Sequence, residues 1–300
     1  MDTRVQSPGL IITTLLRQLV VLSKPRIVML LVITAICGVW KAAGGVPDPL
    51  VLGVVIVAGS LAAAGSNAIN QGLDADIDAV MRRTRGRPVP AHQMRPSAAV
   101  LLGVAAIAVA VLVMWAGANA LAALFTFLAA AVYVFVYTIA LKRRSWNNIV
   151  IGGAAGAFPP LIGSAAVTGS VDAAGLFMFA FVFFWTPPHF WTLSILLKND
   201  YAAANVPMLS VVASQRETAL QVALYIALLT AMVWLPVAAG YGGVTFGVIG
   251  TLLGAQWLRK TLPLFKTTTY RQTLSAYKYS LLYLAGAFLV FALEPSLPWY

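Results

Sequence analysis

Three side chains that carry oxygen atoms recur every four residues in the stretch SNAINQGLDADIDAVMRRTRGRP, residues 66–88. They are Asn70, Asp74 and Asp78. The stretch contains no strong helix breaker before Gly86, so we predict one helix in which these three side chains line a single face. Magnesium takes one or two carboxylates and completes its coordination with water and phosphate oxygens. The spacing therefore predicts a magnesium site for a phosphate-bearing substrate, with Asp76 on the opposite face, where it is solvated or contacts a metal ligand instead of the metal.

Basic residues follow the acids and recur at a second short turn. Arg82 and Arg87 lie in the run after Asp78, and Lys142 and Arg143 follow an apolar segment. Ammonium and guanidinium groups stabilise the charge that grows on a departing diphosphate, so we predict that these residues bind it. Two simpler interpretations stay open: basic residues that only set membrane topology, and an ordinary ion pair between Asp78 and Arg82 on a solvated helix.

A third group lies near residues 183–201, in the stretch FFWTPPHFW and the KNDY that follows it. The two prolines predict a broken or bent helix beside a cavity, in which His189 contacts a ligand. A hydrogen-bonded core histidine is the alternative. Asp200 is predicted to hold a second cation or to share the first, which completes the metal set of Asn70, Asp74, Asp78 and Asp200. Tyr137 and Tyr201 are the remaining predicted substrate-binding residues.

The elements that must position these groups are membrane helices. The 300 residues are 60% hydrophobic and 10% charged, with mean hydropathy +0.87, a composition typical of a chain within a bilayer. A span needs about 20 mostly apolar residues. Nine segments meet this requirement, the eighth being short: 27–43, 50–70, 97–117, 120–141, 147–169, 173–196, 218–240, 243–257 and 277–297. We predict an all-α protein with a cytoplasmic segment at 1–26 and one nine-helix domain at 27–297.

The distribution of basic residues predicts how the bundle is oriented. With these spans, 19 of the 20 Lys and Arg residues fall on one side, and only Lys41 falls on the other. Because basic loops stay in the cytoplasm, the N-terminus and the predicted site face the cytoplasmic side of the inner membrane. The net charge of +11 is spread over these loops, which argues against a nucleic-acid partner. The single Cys37 excludes a cysteine framework for metal or disulfides.

The sequence contains no nucleophile motif, zinc-ligand spacing or P-loop, which argues against enzymes that use a protein nucleophile, a zinc ion or a nucleotide bound in a P-loop. Acids for a divalent ion, cations for a diphosphate and an aromatic bundle together favour ionisation of an allylic diphosphate in an apolar cavity. A transporter or a non-catalytic membrane assembly factor is the alternative from a different class, because Pro159–Pro160 and Pro187–Pro188 interrupt two spans.

The Asn70-x3-Asp74-x3-Asp78 pattern resembles the first aspartate-rich motif of the intramembrane aromatic prenyltransferases, the UbiA-type superfamily. Residues 76–88, 141–169, 185–191 and 200–209 resemble its haem-prenylating branch, and the resemblance extends from about Lys24 to the last span. It implies nine helices around a central cavity, magnesium and diphosphate on the first motif, and diphosphate contacts from Lys142 and Arg143. Two positions depart from the pattern: Asp200 stands alone with Asn199 beside it, and Asn205 replaces a glycine.

The resemblance also implies a reaction and partners. Farnesyl diphosphate would donate its farnesyl group to the 2-vinyl group of protohaem IX, giving haem O and diphosphate. His189 would then meet a haem propionate or the iron. The product would pass to haem A synthase or to assembly of a terminal oxidase. The same fold also prenylates quinone precursors and chlorophyll-type acceptors, which is the nearest alternative.

Overall fold

The structure, a computed structural model, describes residues 8–266 and 269–294, with side chains from residue 13 onward. The described residues form helices and connecting turns, without β-strands. The α-helices, numbered α1 to α15 in chain order, are Pro8–Ser23, Pro25–Ala43, Pro49–Leu73, Ala75–Val80, Pro96–Gly117, Ala120–Ala131, Asn148–Gly152, Ala154–Thr168, Ala173–Leu196, Lys198–Ala203, Leu209–Val212, Gln215–Met232, Leu235–Ala238, Val244–Thr261 and Tyr270–Leu293. A π-helix, Val132–Leu141, continues α6, and a 3-10 turn, Leu262–Phe265, follows α14.

The apolar segments are membrane-spanning helices, as the sequence predicts. Eight helical segments of the described chain are long and apolar enough to cross a membrane: Pro25–Ala43, Pro49–Leu73, Pro96–Gly117, Ala120–Leu141, Asn148–Thr168, Ala173–Leu196, Gln215–Ala238 and Tyr270–Leu293. The predicted span at 243–257 forms α14, but this helix is not among the eight. Its last turn carries Arg259 and Lys260, which lower its hydropathy. The count of nine spans stays a prediction, and residues 295–297 of the last one lie outside the described residues.

Close approach of helix backbones organises one side of the bundle. At Gly65 of α3, an added Cβ would lie 2.6 Å from the carbonyl oxygen of Gly103 on α5. Gly38 of α2 and Gly163 of α8 meet the facing backbone of each other's helix in the same way. Small residues allow such approach between membrane helices, where dispersion and packing take the place of the hydrophobic effect. These contacts fix α3, whose C-terminal end carries the first of the predicted metal ligands.

Aromatic packing organises the other side. Helices α9, α12, α14 and α15 enclose a buried cluster that includes Phe181, Trp191, Trp257, Tyr283 and Phe291. The rings meet in tilted, stacked and edge contacts, such as Trp257 on Tyr283 with 5.0 Å between centroids. Large rings of this kind bury much apolar area in few residues and restrict one another's orientation.

The structure differs from two local predictions, one about the helix that carries the acids and one about a break at the prolines of α9. The helix predicted to run from residue 66 towards Gly86 ends at Leu73 and resumes for only six residues as α4. Asp74 is both the C-cap of α3 and the N-cap of α4. The turns that follow α4 are stabilised by the Thr84 hydroxyl, which donates to the Asp78 carbonyl at 2.9 Å. The prolines at 187 and 188 do not break α9, which is continuous from Ala173 to Leu196, whereas the alternative of a bend stays a prediction. The hydroxyl of Thr192 donates to the Pro188 carbonyl at 2.7 Å and adds a polar contact to that turn.

Candidate active site

The predicted acids lie together at one end of the bundle and are almost fully buried. Asn70, Asp74 and Asp78 are only 4%, 1% and 3% exposed. The Asn70 side-chain amide donates to Asp74 Oδ2 at 2.6 Å, which confirms that these two residues share a face. Two carboxylates buried this deeply at the edge of a membrane bundle require nearby cations, since an isolated buried charge is costly.

Each buried carboxylate has a basic partner. Lys142 Nζ forms an ion pair with Asp74 Oδ2. Arg87 Nη1 lies 2.6 Å from Asp78 Oδ2. Arg82, the predicted alternative partner of Asp78, is exposed. The interpretation of Asp78 and Arg82 as an ordinary solvated ion pair is therefore wrong, because Arg87, folded back by the turns after α4, occupies that place.

Asp76 and Arg143 form a separate pair at the surface. Both guanidinium nitrogens of Arg143 lie 2.7 Å from the Asp76 carboxylate, and the two side chains are 40% and 67% exposed. Hydrogen bonds from Arg143 hold the pKa of Asp76 below its ordinary value. Arg143 also reaches to 3.6 Å from Asp74 Oδ1. Arg143 thus borders the site from the solvent side, and the prediction that Asp76 is solvated is confirmed.

The π-helix positions the basic turn. Its wider turns pair residues five apart, so the Lys142 amide donates to the Tyr137 carbonyl at 2.8 Å and the Thr138 hydroxyl to that of Tyr133 at 2.9 Å. The Thr138 oxygen accepts a hydrogen bond from Asn70 at 3.2 Å. Tyr137 stacks on Tyr133 with 5.5 Å between centroids. π-Helical turns are rare and concentrate at functional sites, and this one directs Thr138 towards Asn70 and Lys142 towards Asp74.

Lys24 is a site residue that sequence reasoning missed. Its ammonium donates to Asn70 Oδ1 at 3.0 Å. Burial, followed by the positive charges of Arg87 and Lys142, lowers the pKa of Lys24 to about 7. The sequence alone indicates only a topological role for Lys24, since nothing local predicts that the chain before α2 turns towards α3. We call Lys24, Asn70, Asp74, Asp78, Arg87 and Lys142 the charged cluster.

The second acidic region packs over the first through apolar and aromatic contacts. Tyr201 of α10 is 2% exposed, and Arg83 lies over its ring and donates to its hydroxyl at 3.3 Å. Burial raises the pKa of the Tyr201 phenol. Asp200, next to it, is half-buried. Asn205 takes the left-handed conformation, φ +51°, which suits the glycine that the resemblance implies at this position.

His189 lies in an aromatic setting fixed by a hydrogen bond. Its ring stacks on Trp185 at 4.3 Å and faces Tyr277 at 4.9 Å. Its Nδ1 is 2.6 Å from the Ser280 hydroxyl, and the Trp185 indole donates to the Ser280 carbonyl at 2.9 Å. We call Trp185, His189, Tyr277 and Ser280 the His189 cluster. The side chain is 7% exposed, so the core-histidine interpretation describes its present contacts.

The charged cluster fits a divalent cation by its donors. Asp74 Oδ1 is buried and accepts no hydrogen bond, with Arg143 Nη2 3.6 Å away, so it can still accept a bond from a ligand. Carboxylate and amide oxygens are the ligands magnesium prefers. In the described part of the chain, no three His, Cys, Asp or Glu residues are near enough to hold one ion together. An ion at Asp74 would therefore take oxygens from Asn70, water or a substrate phosphate as well, and the contribution of Asp200 stays a prediction.

These features define a class: a polytopic α-helical membrane protein with a buried acid-and-base site at one end of its bundle. The chain belongs to the UbiA prenyltransferase family, whose model matches residues 31–291. That match confirms the resemblance found in the motifs.

Individual relatives agree with this assignment. A protoheme IX farnesyltransferase of Thermus thermophilus is 46% identical over 279 residues, 93% of this chain, and the chain spans about half (46%) of that relative's length. A protoheme IX farnesyltransferase of Granulibacter bethesdensis is 43% identical over 92% of this chain and 89% of its own length. The structure of a UbiA homologue from Archaeoglobus fulgidus, bound to DMAPP and Mg²⁺, superposes with a TM-score of 0.68 at 17% identity, covering 91% of this chain and 99% of that one. The last comparison shows a shared fold.

Proposed function

We propose that this protein transfers the farnesyl group of farnesyl diphosphate to the 2-vinyl group of protohaem IX, giving haem O and diphosphate. The observation that carries the proposal is the charged cluster, in which Asp74 and Asp78 are buried, paired with Lys142 and Arg87, and placed at the end of an apolar bundle. Relatives at 40–46% identity are named protoheme IX farnesyltransferases, which supports the choice of both substrates.

The chemistry needs a site that stabilises a leaving diphosphate. The bond between C1 of the farnesyl chain and the diphosphate oxygen breaks, and its electron pair leaves with the diphosphate. The vinyl carbon of haem forms the new bond to C1, and water adds to the resulting cation and releases a proton. The nucleophile belongs to the substrate, so the absence of a nucleophile motif in the sequence agrees with this reaction.

The residues of the charged cluster divide this work. Asp74, Asp78 and Asn70 would hold magnesium, which supplies positive charge to the diphosphate when bound. Lys142 and Arg87 contact the carboxylates in the structure and have the reach to turn towards a diphosphate, whose oxygens are stronger acceptors in a confined site. Arg143 approaches from the solvent side. The UbiA homologue solved with DMAPP and Mg²⁺ has the same fold, which supports the choice of metal.

Haem would meet the His189 cluster. A planar macrocycle stacks on aromatic rings, and imidazole can donate to a propionate or ligate iron. Trp185 and Tyr277 hold the imidazole between them and fix its orientation. We further propose that the charged cluster lies on the cytoplasmic side of the inner membrane, as the basic loops predict. The product would then pass to haem A synthase or to assembly of a terminal oxidase.

The test is production of haem O in a bacterial host whose own enzyme has been deleted. Mass spectrometry of extracted haems should show haem O with the wild-type chain and none with Asp74→Asn, at equal amounts of membrane protein. Haem B as the sole haem in the presence of well-folded wild-type protein would contradict the proposal. A prenylated quinone precursor in the same extracts would instead point to the other acceptor class.

A further inference from the structure

One cation of the charged cluster comes from outside the acidic motif and the basic turn. Lys24 is the residue between α1 and α2, and its ammonium donates to Asn70 Oδ1 at 3.0 Å. The charges of Asp74, Asp78, Arg87 and Lys142 all act on it. Lys24 therefore belongs to the same electrostatic environment as the predicted metal ligands, although it lies 46 residues before Asn70.

The backbone at Lys24 is held in a conformation that a lysine rarely adopts. Its φ of +52° places it in the left-handed region, where a side chain crowds the following carbonyl. The carbonyls before it are fastened to α3: Gln71 donates to Leu22 at 2.7 Å and Asn67 donates to Ser23 at 3.1 Å. Helix α3 therefore binds both the backbone before Lys24 and the Lys24 ammonium. These contacts stabilise the strained backbone conformation of Lys24.

The hydrogen bonds of Asn70 define which atom a metal would use. Its amide nitrogen donates to Asp74 and to Thr138, so its Oδ1 is the atom that faces a cation, and the Lys24 ammonium occupies that position. A magnesium ion and an ammonium group cannot both bind the same side of one amide oxygen. If Asn70 is a metal ligand, Lys24 must move when the metal arrives.

We infer that Lys24 is a further diphosphate-binding residue, which leaves Asn70 Oδ1 to the metal and turns to the diphosphate when the two enter together. This exchange rests on the proposed function. An anionic phosphate oxygen is a stronger acceptor for ammonium than a neutral amide, and the four-carbon stem of lysine allows the movement. The same movement removes a positive charge from the metal position and adds one beside the diphosphate.

The exchange predicts effects of opposite sign, which a merely structural lysine would not produce. The full-length protein in detergent is titrated with Mn²⁺ alone, followed by electron paramagnetic resonance, and with farnesyl thiodiphosphate at saturating Mg²⁺, followed by calorimetry. Lys24→Met should bind Mn²⁺ several-fold more tightly and the thiodiphosphate about tenfold more weakly. Arg26→Met, which removes an exposed cation two residues along the chain, should change neither affinity.

Two further variants distinguish a loss of diphosphate binding from misfolding of the Lys24 variants. Lys24→Arg should keep most of the thiodiphosphate affinity, and Lys24→Asn, a residue that tolerates the left-handed conformation, should behave as Lys24→Met does. Wild-type thiodiphosphate affinity in both Lys24→Met and Lys24→Asn would overturn the role in diphosphate binding, and unchanged Mn²⁺ affinity would overturn the exchange. A wild-type protein that binds no thiodiphosphate would refute the proposed function as well, whereas one that binds it but makes no haem O would refute only the acceptor.

Discussion

Two polar clusters lie within this bundle of apolar helices, and they are held in different ways. The charged cluster is built from long, flexible side chains that come from separate elements, such as Lys24, Arg87 and Lys142. The His189 cluster is built from rings on α9 and α15 that stack on one another around a single hydroxyl. The charged groups can exchange partners by rotating their side chains, whereas His189 is confined by its neighbours.

The difference suits two tasks. Under the proposed function, this site must exchange ion pairs when metal and diphosphate bind and leave, and the cations of the charged cluster neutralise the carboxylates until a metal ion takes their place. A site that orients a planar acceptor benefits from rigid walls, since alignment of the reacting carbons lowers the barrier. The predictions below test this contrast, from the largest expected effect to the smallest.

The strongest test of the charged cluster is Asp74→Asn. An amide cannot supply the negative charge that balances magnesium, so turnover of farnesyl diphosphate should fall by at least about a thousandfold. Haem O formation by purified protein at saturating magnesium measures this loss. Asp76→Asn is the matched control, because Asp76 is a neighbouring carboxylate that is 67% exposed; it should stay within about threefold of wild type. Wild-type turnover in Asp74→Asn would refute the assignment of the metal to this position.

Loss of a single cation should have a smaller effect. Lys142→Ala should slow turnover by about ten- to a thousandfold, the range for one group that stabilises a developing charge. Lys142→Arg should retain more activity, since it keeps the charge beside Asp74. Single-turnover rates at saturating substrate separate ionisation from binding. Equal rates in Lys142→Ala and the wild type would show that the basic turn only sets the membrane topology.

The His189 cluster should affect the acceptor alone. His189→Ala removes the imidazole between Trp185 and Tyr277 and should weaken haem binding by about tenfold, the size of one good polar or stacking contact. Binding of farnesyl thiodiphosphate should stay unchanged, because we propose that the charged cluster binds the diphosphate.

Haem titration by absorbance and calorimetry with the thiodiphosphate check the two halves of this prediction. Ser280→Ala is a milder variant, because it keeps the His189 ring and removes only the hydroxyl that contacts it. Its effect on haem binding should therefore be smaller than that of His189→Ala. A His189→Ala protein that binds haem normally and loses the thiodiphosphate would overturn the division of labour between the clusters.

The smallest effect is expected at the border of the charged cluster. Arg143 is 40% exposed and paired with a solvated aspartate, so Arg143→Ala should slow turnover by only a few-fold, less than Lys142→Ala. Raising the salt concentration should shrink the difference between Arg143→Ala and wild type, because exposed charges are screened. An Arg143→Ala defect as large as that of Lys142→Ala would place Arg143 on the diphosphate itself.

Much of the fold was determined by local sequence. Runs of apolar residues identify the spans because lipid requires each backbone group to bond within its own helix. The four-residue spacing likewise predicted that Asn70 and Asp74 would meet, since neighbours on one helix face depend only on the helical repeat. The same local reasoning was wrong at Asp74, where the predicted single helix ends, and it did not exclude an unbroken α9, which is continuous through its prolines.

Tertiary structure alone decided which distant residues complete the clusters. Lys24 reaches Asn70 across 46 positions, Lys142 reaches Asp74 across 68, and His189 reaches Ser280 across 91. Similarly, Arg87 rather than Arg82 is the partner of Asp78, because the turns after α4 reverse the chain. Periodicity orders side chains along one helix, but which faces of different helices meet depends on glycine contacts, the widened π-helical turns and aromatic packing. Those interactions act only when the whole bundle has assembled.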